Sequence, residues 1–154
     1  FKDVNDMHGH LAGDRLLAQV AQRIGAQARS SDMVCRYGGD EFAFLLPHTT
    51  LDEARAFAQR LVDRISSTPL RLPGGGLAPI ALSCGVAGWP ESSGVNVAKE
   101  LFLVADQALY KAKEDGRGCV VVSPLDPNPA FDPSGGHSKK WPQSSRSHRG
   151  VEAV

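Results

Sequence analysis

Hydrophobic positions along the chain change their spacing several times, and each change marks an element. Leu16, Leu17, Val20 and Ile24 recur at the interval of one helical face and predict a helix over 14–28. Two short apolar runs follow, Met33–Tyr37 and Phe42–Leu46, separated by Gly38-Gly39-Asp40-Glu41. Glycine tolerates the positive φ of a tight turn, so this stretch predicts a β-hairpin. Thr50-Leu51-Asp52-Glu53 has the spacing of a helix capping box, and behind it Ala54, Phe57, Ala58, Leu61, Val62 and Ile65 form one stripe. A Pro/Gly loop from Pro69 to Pro79 leads to a strand in which Ile80, Leu82, Cys84 and Val86 alternate with other residues. Another helix is expected over about 96–114, stopping near Gly116, and Cys119–Val122 reads as a last strand. Helices interrupting strands in this way predict an α/β or α+β sandwich, with helices packed on a sheet.

At residue 124 the pattern stops. Residues 124–154 contain five prolines, five serines and three glycines without periodicity. Such a stretch buries too little apolar area to offset its ordering entropy, so 124–154 is expected to be a disordered tail behind a single domain at 1–123. Its basic residues Lys139, Lys140, Arg146 and Arg149 read as a solvated scatter rather than a partner-binding patch. Over the whole chain 17 basic and 17 acidic residues cancel. No overall field therefore recruits nucleic acid or an anionic membrane, and any bound anion must be held locally. No apolar run approaches the roughly 20 residues of a membrane span. Cys35, Cys84 and Cys119 are widely spaced in apolar stretches and form no CxxC pair. They are expected to be buried free thiols in a reducing compartment, which points to the cytoplasm. The chain opens Phe1-Lys2-Asp3, with neither an initiating methionine nor a signal peptide, so its start is expected to lie inside a longer protein.

Candidate chemistry begins at the hairpin turn. Gly38-Gly39-Asp40-Glu41 lifts two adjacent carboxylates beside glycines whose missing Cβ atoms leave room for a ligand. Magnesium takes carboxylate oxygens together with phosphate oxygens and water, so the pair suits a metal–nucleotide site. Taken alone, the turn reads first as a polar hairpin tip. Upstream, Asn5-Asp6-x-x-Gly9-His10-x-x-Gly13-Asp14 places an amide, an imidazole and a carboxylate within one loop and helix start. Amide and carboxylate together can grip guanine, the amide at O6 or N7 and the carboxylate at N1–H and the exocyclic amine. Alone, Asp14 reads equally as an acid favoured by a helix N-terminus, and His10 as a packed or capping residue.

Five motifs in order resemble the GGDEF domain of diguanylate cyclases. They are Phe1-Lys2-x-x-Asn5-Asp6, Gly9-His10-x-x-Gly13-Asp14, Arg36-Tyr37-Gly38-Gly39-Asp40-Glu41-Phe42, Ser83-x-Gly85-Val86, and the stretch from Ala105-Asp106 through Tyr110 and Lys113 to Gly116-Arg117. The resemblance covers residues 1–123, with no counterpart for the tail. It implies a palm-like nucleotidyl-cyclase fold whose central, mainly antiparallel sheet is flanked by helices. It implies condensation of two GTP into cyclic di-GMP, with Mg²⁺, or Mn²⁺ in its place, as cofactor.

By the same resemblance, Asn5 and Asp14 recognise guanine with His10 nearby, and Gly38 and Gly39 let substrate approach. Lys2 stabilises phosphate charge, Asp40 binds the metal, and Asp40 with Glu41 activates the attacking 3′-hydroxyl. Lys113 and Arg117, four apart at a helix end, hold the terminal phosphates; a solvated basic helix terminus is the plainer alternative. Arg29-Ser30-Ser31-Asp32 lies five residues before Gly38, where the family places its inhibitory product site, and Arg60 takes the position of an additional product-binding arginine. The alternative there is a surface Arg29–Asp32 ion pair. One domain holds one GTP, so catalysis implies a homodimer with facing sites. The resemblance also implies a first strand and a second metal-binding Asp before Phe1, an upstream sensor or membrane anchor, and weak or absent turnover by this stretch alone. Two other readings remain: an inactive module that senses GTP or cyclic di-GMP, and a related cyclase acting on another base.

Overall fold

The computed structural model describes residues 2–72, 75–88, 98–124 and 151–153. Two helices open the chain, α1 (Lys2–His8) and α2 (His10–Gly25), where the sequence predicted a loop and a helix over 14–28. Nothing between Lys2 and His8 breaks a helix. Only Gly9, at φ 79°, interrupts the run, and its N–H still donates to the Asn5 carbonyl at 2.8 Å. The hairpin follows as expected, with β1 (Met33–Gly38) antiparallel to β2 (Glu41–Leu45) and an irregularity between Arg36 and Gly38. Helix α3 (Leu51–Ser66) starts on the predicted capping box: Thr50 Oγ1 accepts from the Glu53 N–H, and the Glu53 carboxylate accepts from the Thr50 N–H.

The Pro/Gly stretch holds a small ribbon, β3 (Leu70–Arg71) against β4 (Leu77–Ala78), instead of an irregular loop. The Gln19 side chain secures it to α2, donating to the Arg71 carbonyl at 2.9 Å and accepting from the Arg71 N–H at 3.3 Å. Strand β5 (Leu82–Gly88), helix α4 (Ala98–Glu114) and strand β6 (Val120–Pro124) complete the expected order.

One face of the sheet carries α2 and α3, whose Leu16, Val20, Ile24, Leu61 and Ile65 form the core with Phe42, Leu82 and Cys84. Helix α4 covers β5 and β6 and buries Val104, Ala105, Ala108, Leu109 and Ala112. Leu82, Ser83, Cys84 and Gly85 are therefore all buried, so β5 is covered on both sides rather than alternating between core and solvent.

Three sequence expectations are corrected by this arrangement. The five-stranded sheet has the order β1-β2-β7-β5-β6, where β7 is Val151–Ala153. Only β1–β2 is antiparallel among its pairings, so the sheet is not mainly antiparallel. A helical crossover from β5 through α4 returns the chain in the same direction, which makes β6 parallel. The tail is not irregular throughout: residues 125–150 lie outside the described residues, but β7 pairs with both β2 and β5. Backbone hydrogen bonding from two neighbouring strands holds three residues whose composition alone does not predict a strand. Finally, Cys35 is exposed on β1 rather than buried. Cys84 is buried, which pushes its thiol up to about 12, and Cys119 is intermediate.

Candidate functional site at the hairpin turn and the end of α4

The turn between β1 and β2 is built from backbone freedom and one arginine. Gly39 sits at φ 50°, and Arg36 Nε–H donates to its carbonyl at 2.9 Å. A Cβ at Gly38 would meet nothing within 4 Å, and neither packing nor a positive φ requires glycine at that position.

Asp40 follows, partly buried. Burial pushes its carboxyl above the ordinary value, Glu41 adds to the shift, and Lys113 opposes it. Its Oδ2 is buried with no hydrogen-bond partner among the described residues. Glu41 begins β2, and its Oε1 lies 3.7 Å from Lys113 Nζ on the last turn of α4. Tyr37, just before the turn, packs its ring on Phe102 of α4 with centroids 4.9 Å apart. Partial burial and then the carboxylates of Asp106 and Glu41 raise its phenol above the ordinary value. The hairpin tip is thus joined to α4 by an aromatic contact and an ion pair. Sequence reasoning quotes Tyr37 only as part of an apolar run and a motif and gives neither it nor Phe102 a role. The regular spacing of Phe102, Asp106 and Lys113 along one helix was the available signal.

Asn5 lies on α1 and Asp14 on α2, on either side of the break at Gly9. The Asn5 side chain lies directly over Gly13, where a Cβ would overlap its amide oxygen, so glycine here leaves the Asn5 amide in its place. Asn5 Oδ1 is the other buried side-chain atom that lacks a partner among the described residues. Asp14 is exposed and is the fifth residue of α2, and the first turn carries no acid, which removes the helix-terminus explanation for it. His10 is exposed at the first position of α2. Lys2 starts α1, and its side chain lies outside the described residues, as does Phe1.

Lys113 and Arg117 do not share a helical face as expected. Helix α4 ends at Glu114, and Arg117 lies beyond it at φ 66°. The chain leaves the helix after Glu114 and turns at Gly116, at φ 108°, before it reaches the second cation. At the RxxD segment, Asp32 Oδ2 accepts from the backbone N–H of Arg29 at 2.7 Å, so the carboxylate closes a turn where a side-chain ion pair was the alternative. Arg60 is exposed on α3, and no hydrogen bond joins it to Arg29 or Asp32.

Buried carboxylate oxygens without partners attract hard cations. No group of three or more His, Cys, Asp or Glu among the described residues forms a metal cage. Asp40 with Glu41 fits an ion that takes its remaining ligands from water and phosphate, as magnesium does. Among the described residues no helix is long and apolar enough to cross a membrane.

Residues 1–119 match the family model described as "Diguanylate cyclase, GGDEF domain". The chain is 39% identical over 123 residues to the diguanylate cyclase DgcP of Pseudomonas aeruginosa, covering 80% of this chain and 18% of that protein. It is 40% identical over 123 residues to the diguanylate cyclase DgcM of Escherichia coli strain K12, covering 80% and 28%. The chain thus spans less than a third of the length of these two relatives. Among solved structures, the GGDEF domain of TpbB from Pseudomonas aeruginosa superposes with a TM-score of 0.69 at 37% identity, covering 79% of this chain and 69% of that one. The GGDEF domain of DgcB from Caulobacter crescentus, in complex with c-di-GMP, gives 0.65 at 31% identity, covering 79% and 70%. These likenesses bear out the palm-like mixed fold, and with the family match over most of its length, this chain belongs to the GGDEF domain family of diguanylate cyclases.

Proposed function

We propose that this domain binds GTP at the hairpin turn and α4 and, paired with a second copy, condenses two GTP into cyclic di-GMP. The observation that carries the reading is the cluster at the turn: an unpartnered Asp40 oxygen, a Glu41–Lys113 pair at 3.7 Å, and open space over Gly38. Each 3′-hydroxyl attacks the α-phosphate of the facing nucleotide, two P–O bonds form, and two pyrophosphates leave. Asp40 and Glu41 would hold Mg²⁺, or Mn²⁺, which neutralises phosphate charge when bound. Glu41 takes up the hydroxyl proton, Lys113 and Arg117 hold the terminal phosphates, and Asn5 with Asp14 reads the guanine. Lys2 and His10 are assigned to the phosphates and the base on family resemblance alone. Transfer of this kind depends mainly on positioning and charge neutralisation, which a metal, two acids and two cations supply.

The test is Mg²⁺-dependent production of cyclic di-GMP from GTP. Wild type should turn over, weakly as this stretch alone and fully within the longer protein, while Glu41→Gln should fall below a tenth of the matched wild-type rate with an unchanged circular dichroism spectrum. Binding of GTP or cyclic di-GMP without turnover would make the domain a sensor instead of a cyclase.

The RxxD turn supports a second site, for product. Asp32 closes the turn through the Arg29 amide and leaves the Arg29 guanidinium unclaimed by that carboxylate. Arginine forks suit phosphate oxygens and the Hoogsteen edge of guanine, and Arg60 would add a second fork. Arg29→Ala is expected to stay active as cyclic di-GMP accumulates. Identical inhibition curves for the variant and wild type would leave the turn a surface feature only.

A further inference from the structure

We propose that Ser83 is a positioning residue for Arg117, fixing the turn that presents this guanidinium to the terminal phosphates of the nucleotide. The inference rests on the function proposed above and extends it to a residue outside the site. Three successive residues after α4 adopt positive φ: Gly116 at 108°, Arg117 at 66° and Gly118 at 65°. Glycine takes this conformation freely, but an arginine there is disfavoured and persists only where its surroundings hold it. Two contacts do so. The Arg117 N–H donates to the Ala112 carbonyl at 3.1 Å, and the Gly118 N–H donates to Ser83 Oγ at 3.1 Å across 35 residues of chain.

Ser83 is the buried polar side chain of the described residues, 5% exposed on a strand covered on both faces. A buried hydroxyl is costly unless it is bonded. Gly118 is exposed, so water could satisfy its N–H without any serine. What the hydroxyl adds is a fixed point for the turn. Ser83 and Gly85 lie two apart on β5 and so share a face, and Gly85 meets the α4 backbone at Ala105 and Leu109. One face of β5 therefore sets both the seat of α4, which carries Lys113, and the turn that carries Arg117.

The experiment compares calorimetric affinities for GTP and GMP, with Mg²⁺, in wild type, Ser83→Ala, Ser83→Thr, Arg117→Ala and the Ser83→Ala/Arg117→Ala double variant. Ser83→Ala should weaken GTP roughly tenfold and leave GMP within about twofold, since only GTP reaches the phosphate cations. Ser83→Thr should restore GTP affinity, and the double variant should be no weaker than Arg117→Ala alone. If Ser83→Ala fails to fold, Ser83→Cys supplies the same comparison. Equal losses for GTP and GMP, or additive effects in the double variant, would overturn the inference and make Ser83 a packing residue. A wild type that fails to prefer GTP over GMP, with Arg117→Ala without effect, would overturn the proposed function and this inference with it.

Discussion

Asp40 is held at a cost to the fold. Its carboxyl is partly buried, raised above its ordinary value by that burial, and one oxygen lacks a partner. Stability given up at one residue for a ligand is a common feature of functional sites. Because the folded-state value lies above the unfolded one, the stability associated with Asp40 is fully present below the unfolded value and lost as pH rises through the folded one. Asp40→Asn removes that loss. In chelator, the melting temperature of the variant relative to wild type should therefore be more favourable at about pH 7 than at about pH 4. An equal difference at both pH values would show that the carboxyl is not perturbed. At this scale the sequence identified the acids and the cations by type and spacing. It could not show that Glu41 faces Lys113 or that Asp32 bonds a backbone amide, since both depend on where side chains of separate segments come to rest.

Among the elements, α4 matters most to the site, and its seat on the sheet depends on Gly85. A Cβ there would overlap the Ala105 carbonyl oxygen and the backbone nitrogen of Leu109. Backbone cannot step aside as a flexible side chain does, so α4 would have to lift from β5. Gly85→Ala should destabilise the domain by about 1–3 kcal/mol, as overpacking generally does, and raise the KM for GTP by moving Lys113. Denaturant unfolding that matches wild type would show that α4 has slack the packing does not suggest. The helical stripes, the capping box and the hairpin were legible because each is a local pattern of spacing and turn chemistry. The sequence pattern makes α1 a loop and starts α2 at 14 rather than 10, because one glycine separates the two helices, and it misses the β3–β4 ribbon because two-residue strands carry no periodicity.

For the whole molecule, the proposed function, with one nucleotide per domain, requires two copies to meet. Synthesis by the isolated domain should therefore fall about as the square of protein concentration on dilution, where pairs are scarce. A rate proportional to concentration over a roughly tenfold range would mean that a stable dimer persists or that one copy suffices. The domain matches its relatives over residues 1–119, and the five-stranded sheet also includes β7 from the far end of the chain.

Local pattern determined the helices α2, α3 and α4, the hairpin and the identity of the chemical groups, because spacing and turn residues act within a few positions of one another. The five motifs, read in order, also determined the family, which the family match bears out. Tertiary structure decided what depends on distant segments meeting. It made β5 an interior strand by covering both faces, set parallel pairing through the α4 crossover, and brought β7 between β2 and β5. It also held Arg117 in a left-handed turn between two hydrogen bonds, its own N–H to the Ala112 carbonyl and the Gly118 N–H to a serine hydroxyl 35 positions away in the chain. Such contacts leave no periodic trace in the sequence, because neither partner's neighbours reveal what lies across the fold.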